Sequence, residues 1–149
     1  MALPNEIHPF HFAGAGQGYQ VSNSLRFRSR NSAYLSRTPG STGNQQKWTW
    51  SAWIKRGALT SNMGLFYGRQ DGNNITELYI KSDDTVHIVS YIANVNKGEA
   101  YTPGVLRDPS AWYHVVFHLN CTSSPRFRAW INGVELTAWT QNKIGRAHV

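Results

Sequence analysis

Lys47-Trp48-Thr49-Trp50-Ser51-Ala52-Trp53-Ile54-Lys55-Arg56 is the stretch on which the fold turns. Trp48, Trp50, Ala52 and Ile54 share one parity, and Lys47, Thr49, Ser51, Trp53 and Lys55 share the other. That period of two predicts a strand with one buried face; wound as a helix, the same residues would scatter their apolar groups round the barrel. Two inward indoles need a thick apolar layer opposite them. A second sheet supplies that layer, so the expected fold class is all-β.

Outward from this strand, short alternating runs broken by turn residues extend from residue 21 onward, the pattern of a sandwich or barrel. They predict strands at 24–28, 33–37, 48–56, 63–69, 76–81, 85–92, 112–119, 127–131 and 134–137. Asn132-Gly133 predicts a tight hairpin, because both residues tolerate positive φ. Residues 39–44, 71–74 and 94–103 read as loops, and 106–111 as at most one helical turn. Trp48, Trp50 and Trp130 are assigned to the core. Residues 1–20, with Pro4, Pro9 and Gly14-Ala15-Gly16-Gln17-Gly18, read as an arm or linker.

The chain has 149 residues, enough for one substantial core, and its 40% hydrophobic content with six Trp argues for a folded protein. Its formal charge of +7 suits anionic partners such as nucleic acid, phosphate-bearing glycans or acidic lipid without choosing among them. Cys121 is the single cysteine, which excludes an intrachain disulfide and favours a small buried apolar role. The opening residues lack a basic region and an apolar core, so no secretory signal is expected, and no apolar run is long enough to cross a bilayer.

Leu25-Arg26-Phe27, Ala33-Tyr34-Leu35-Ser36-Arg37-Thr38-Pro39, Trp48-Thr49-Trp50, Trp112-Tyr113-His114-Val115-Val116 and Trp130-Ile131-Asn132-Gly133-Val134-Glu135, in that order, resemble the laminin-G-like, concanavalin A-like jelly-roll modules of phage tail fibres and other virion proteins. The resemblance covers roughly residues 22–140. It implies an antiparallel two-sheet β-sandwich spanning 21–143. Modules of this sort continue past the Asn-Gly hairpin into further strands, so the resemblance also implies a C-terminally truncated jelly roll. Residues 144–149, Ile144-Gly145-Arg146-Ala147-His148-Val149, break the register and look like translated sequencing-adapter DNA.

No catalytic apparatus is expected. Glycosidases of the laminarinase type carry Glu-x-Asp-x-x-Glu along one strand, and the eight acidic residues here never take that spacing. His114 and His118 share a face but lack a neighbouring Cys or acidic residue, so packed or surface imidazoles are the preferred reading. No Gly-x-Ser-x-Gly elbow or phosphate-cradling glycine motif occurs.

Binding chemistry has more support. Sugar rings stack on exposed indole or phenol faces, which makes Trp53, Tyr67, Tyr91 and Trp139 the candidate carbohydrate contacts, although covering a sheet or an interface is the commoner use of such residues. Arg26, Arg28 and Arg30, with Arg126 and Arg128, form rows able to meet phosphate or uronate. Interleaved aromatic and basic residues also suit single-stranded nucleic acid, but no motif accompanies them and nucleic acid is not the expected partner. Calcium is the one cofactor to weigh, with Asp71, Asn73 and Asn74 (or Asp83 and Asp84) as oxygen donors, against the ordinary composition of turns. The expectation is a non-catalytic virion module, structural and glycan-binding. Its expected setting is a homo-oligomeric tail fibre with other virion proteins as neighbours, bacterial surface glycan as ligand and no membrane contact.

Overall fold

The computed structural model describes residues 22–139 and the strand at Gln141–Ile144, so the arm expected at 1–20 and most of the adapter-like tail lie outside the described residues. The chain divides into two compact units, residues 1–40 and 41–149. In the first, the described residues hold one 3-10 turn, Ser29–Asn31, where the Asn31 amide donates to the Arg28 carbonyl at 3.0 Å. The strands expected at 24–28 and 33–37 are not formed, and Leu25, Phe27, Tyr34 and Leu35 are exposed. Alternation supplies the face of a strand but not its hydrogen-bonding neighbour, and a lone strand is not stable in water.

The second unit is the expected antiparallel two-sheet sandwich. Its strands are β1 (Lys47–Lys55), β2 (Met63–Arg69), β3 (Ile75–Ile80), β4 (Thr85–Ile92), β5 (Val95–Val105), β6 (Trp112–Asn120), β7 (Phe127–Ile131), β8 (Val134–Glu135) and β9 (Gln141–Ile144). One sheet runs β1-β6-β7-β8 and the other β2-β3-β4-β5-β9. Residues 106–111 form no helical turn. Among the described residues, no helix is long and apolar enough to cross a membrane.

Strand β1 alternates along its whole length, with Trp48, Trp50, Ala52 and Ile54 turned in and their neighbours exposed. The inward residues meet a core drawn from both sheets: Val115, Phe117, Leu119, Phe127 and Ala129 from one, and Leu78, Ile80, Val86, Ile88 and Ala100 from the other. Phe117 and Phe127 stack at the centre with centroids 5.4 Å apart. Trp130 departs from its expected place. In β7, Phe127 and Ala129 are buried while Arg128 and Trp130 take the opposite parity, so Trp130 faces outward opposite Val116 and Glu135.

Of residues 94–103, expected as a loop, all but Asn94 belong to β5. Two features hid this strand. Its hairpin with β4 turns on Ala93 and Asn94, both at positive φ (50° and 60°), where turn chemistry leads one to expect glycine. The 71–74 loop holds that turn in place: Asn74 Oδ1 accepts from the Ala93 amide at 3.1 Å, and the Asn73 carbonyl accepts from the Asn94 amide at 3.0 Å. Further on, Pro103-Gly104 falls where the β4–β5 register slips, and Thr102 Oγ1 takes up the slack, accepting from the Val86 amide and donating to the Gly104 carbonyl.

At one end of the sandwich, Asp84 and Arg56 are buried together, 1% and 3% exposed. Asp84 Oδ1 accepts from Arg56 Nη2 at 2.9 Å and from the Thr60 amide at 3.1 Å, while Oδ2 accepts from Arg107 Nε at 3.0 Å. Arg56 also donates to the Leu106 and Ala58 carbonyls. The Thr60 amide first, then Arg107 and Arg56, holds the Asp84 carboxyl below the usual aspartate value.

Two outcomes follow. Position 93 is exposed, so Val there meets only the backbone constraint; Ala93→Val lowers stability by about 1–2 kcal/mol in urea unfolding, whereas Ala93→Asn does not. Because the folded Asp84 holds its proton less readily than the unfolded chain does, its contribution is present above the ordinary aspartate range and lost as pH falls through the lower folded value. A melting series from neutral to acid pH therefore falls more steeply for the native chain than for Asp84→Asn, and equal slopes would contradict the clamp.

Candidate functional site

The outward face of the five-stranded sheet gathers aromatic and acidic side chains into rows. Register places Tyr79, His87 and Tyr101 side by side across β3, β4 and β5. The next row is Tyr67, Glu77, Val89 and Glu99, and beyond it lie Arg69, Ile75, Tyr91 and Asn96. Strands about 4.8 Å apart make the three-strand row about 10 Å wide and the four-strand rows about 14 Å, the scale of a few sugar rings for the whole face.

His87 and Val89 form the floor on the middle strand, 3% and 6% exposed, while the tyrosines and glutamates on the flanking strands stay partly exposed. The His87 ring lies nearly parallel to Tyr101, with centroids 4.7 Å apart and planes at 5°, and 5.3 Å from Tyr79. Its Nε2 is 2.9 Å from Thr85 Oγ1, and that hydroxyl donates to the Asp83 carboxylate. With the Thr85 proton committed to Asp83, its oxygen accepts, so His87 Nε2 carries the hydrogen. Burial first, then Lys81, lowers the His87 pKa. Burial likewise raises the Tyr79 hydroxyl's pKa, with Glu77 and Glu99 adding to it. The centre of the face is thus a neutral aromatic stack flanked by two carboxylates. The stacked rings turn their faces to one another, so the stack offers apolar ring edges to a sugar and the carboxylates offer acceptors to its hydroxyls.

The four sequence candidates are not brought together. Tyr67 and Tyr91 stand on this face, 52% and 36% exposed. Trp53 lies on the outward face of the other sheet, stacked on His114 at 4.9 Å. Trp139 packs against the core with its ring 5.2 Å from Phe127. Tyr79, His87, Tyr101, Glu77 and Glu99 were not singled out for this role from sequence. The parity opposite to Leu78, Ile80, Val86 and Ile88 was the available signal for the first two; Tyr101 was hidden in the segment read as a loop.

Around Asp71 the oxygens are engaged in closing the turn. Asp71 accepts from the Asn73 and Asn74 amides and from Asn74 Nδ2, Asn74 Oδ1 accepts from the Ala93 amide, and Asn73 Oδ1 accepts from Asn94 Nδ2. The Asn74 side chain, then the Asn73 amide, lowers the Asp71 pKa. Asp84 is likewise consumed by the buried clamp. No group of three or more His, Cys, Asp or Glu side chains that could hold a metal occurs among the described residues. His114 Nε2 and His118 Nδ1 each meet a hydroxyl at 3.0 Å, of Ser51 and Thr49 respectively. Cys121 packs against the core, and burial raises its thiol pKa.

Titrating the His87 imidazole by NMR gives a midpoint below the ordinary histidine value near 6.5. The unfolded chain takes this proton first as pH falls, so the stability His87 confers is complete above that value and is lost as pH drops through the folded midpoint. A midpoint at or above 6.5 would contradict the buried neutral ring.

Compared with known proteins, residues 28–142 match the family model Laminin_G_3, described as the concanavalin A-like lectin/glucanases superfamily. No curated protein and no solved structure matches the chain.

Proposed function

Because the chain belongs to the concanavalin A-like lectin/glucanase superfamily, a carbohydrate-binding or structural module, we propose that it binds glycan on the outward tyrosine face of its five-stranded sheet. The observation that carries this reading is the Tyr79–His87–Tyr101 row, with Glu77 and Glu99 beside it. Pyranose faces stack on the exposed phenols while the carboxylates accept hydroxyl hydrogens. The reading is non-catalytic: the two glutamates serve as acceptors, and the sugar leaves unchanged. It places the module in a phage tail fibre or comparable virion protein facing bacterial surface polysaccharide, the setting that the Leu25-Arg26-Phe27 and Trp48-Thr49-Trp50 segments resemble. Contacts on an open face are individually weak, and repetition along an oligomeric fibre multiplies them through effective concentration.

A panel of bacterial envelope polysaccharides retains the protein, and Tyr67→Ala or Tyr101→Ala reduces retention by about tenfold each. No retained polysaccharide at high protein concentration favours a purely structural spacer. Release of reducing ends that disappears on Glu77→Gln or Glu99→Gln would replace binding with hydrolysis.

A further inference from the structure

The opposite outward face, on the four-stranded sheet, has a different chemistry. Lys47, Thr49, Ser51, Trp53 and Lys55 are exposed along β1, and register sets them against Asn120, His118, Val116, His114 and Trp112 on β6. Arg128 and Trp130 continue the face on β7. Three indoles, Trp53, Trp112 and Trp130, therefore share one surface with three fixed cations, Lys47, Lys55 and Arg128. Among the described residues on these four strands Glu135 is the one carboxylate, 3.7 Å from Arg128.

Trp53 and Trp112 are 51% and 45% exposed, so this face holds large apolar area open to solvent on the folded module. Trp53 is also fixed in orientation. It stacks on His114, whose Nε2 is held by Ser51 Oγ, so its outer face is presented without the rotamer freedom of a loose surface residue. The two lysines sit at opposite ends of β1, about 26 Å apart along the strand.

We infer that this second face binds an acidic polysaccharide, its uronate carboxylates meeting Lys47, Lys55 and Arg128 and its rings stacking on Trp53, Trp112 and Trp130. Charge complementarity selects this occupant. A second copy of the same face would oppose cation to cation. Membership of a lectin/glucanase superfamily favours a glycan over a nucleic acid, which would meet the same cations and indoles.

The test uses the whole chain with polygalacturonate oligomers, their methyl-esterified counterparts and single-stranded DNA of similar length, followed by tryptophan fluorescence and calorimetry. The acidic oligomer quenches tryptophan emission and binds about tenfold or more tighter than the ester, with the difference shrinking as salt is raised. Trp53→Ala and the Lys47→Gln/Lys55→Gln pair each weaken it by about tenfold, while Tyr67→Ala on the other face leaves it unchanged. Equal binding of acid and ester, insensitivity to these variants, or tighter binding of the DNA would each overturn the assignment. Loss of glycan binding at the tyrosine face alone would leave it standing.

Discussion

The buried bond between Arg56 and Asp84 ties together parts of the chain that belong to different layers. Arg56 follows directly on the tryptophan-rich strand of one sheet, and Asp84 sits in the turn between β3 and β4 of the other. Leu106 and Arg107, which also bind this pair, lie on the connection by which the chain passes from β5 back to β6. Two stacked sheets joined mainly by apolar contact can slide, since dispersion and burial are not directional. A carboxylate and a guanidinium withdrawn from water cannot, because each displaced bond leaves a buried charge without its partner. The Asp84 backbone takes part as well, at positive φ of 68° with its carbonyl accepting from the Leu106 amide.

With the layers held in register, each strand shows one face to the core and one to solvent, and the outward faces are the surfaces on which binding is proposed. On the five-stranded sheet the middle strand is buried on both sides, inward by the core and outward by the flanking tyrosines and glutamates. That double burial keeps His87 neutral and seats the aromatic stack on a rigid floor. The four-stranded sheet carries indoles and cations outward instead. A single fold thereby offers two flat surfaces of different chemistry, set by strand parity.

Much of this was legible in the residues. The alternation at 47–55 fixed the fold class, and β2, β4 and β7 occupy the bounds their patterns predict. Asn132-Gly133 turns as expected, at φ of 52° and 80°. The failures have identifiable causes. β5 was obscured by Ala93 in a turn that favours glycine, held by the Asn74 side chain from a distant loop, and by a proline in a register slip, accommodated by the hydroxyl of the adjacent Thr102. Trp130 was assigned to the core, whereas its parity with Arg128 turns it outward. Segment 24–28 alternates as β1 does, yet neither it nor 33–37 forms a ladder.

The sequence by itself determined that this is an all-β protein, where most strands lie, and which side of each is apolar, because the two-residue period of a strand is a local property of the chain. Only the tertiary structure decided which strands are neighbours. Neighbours in turn decided that Tyr79, His87 and Tyr101 meet, that Trp53 stands apart from Tyr67 and Tyr91, and that Asp84 serves a buried clamp. Hydrogen-bonded pairing across a sheet joins residues with no fixed separation along the chain, and no local pattern encodes that distance.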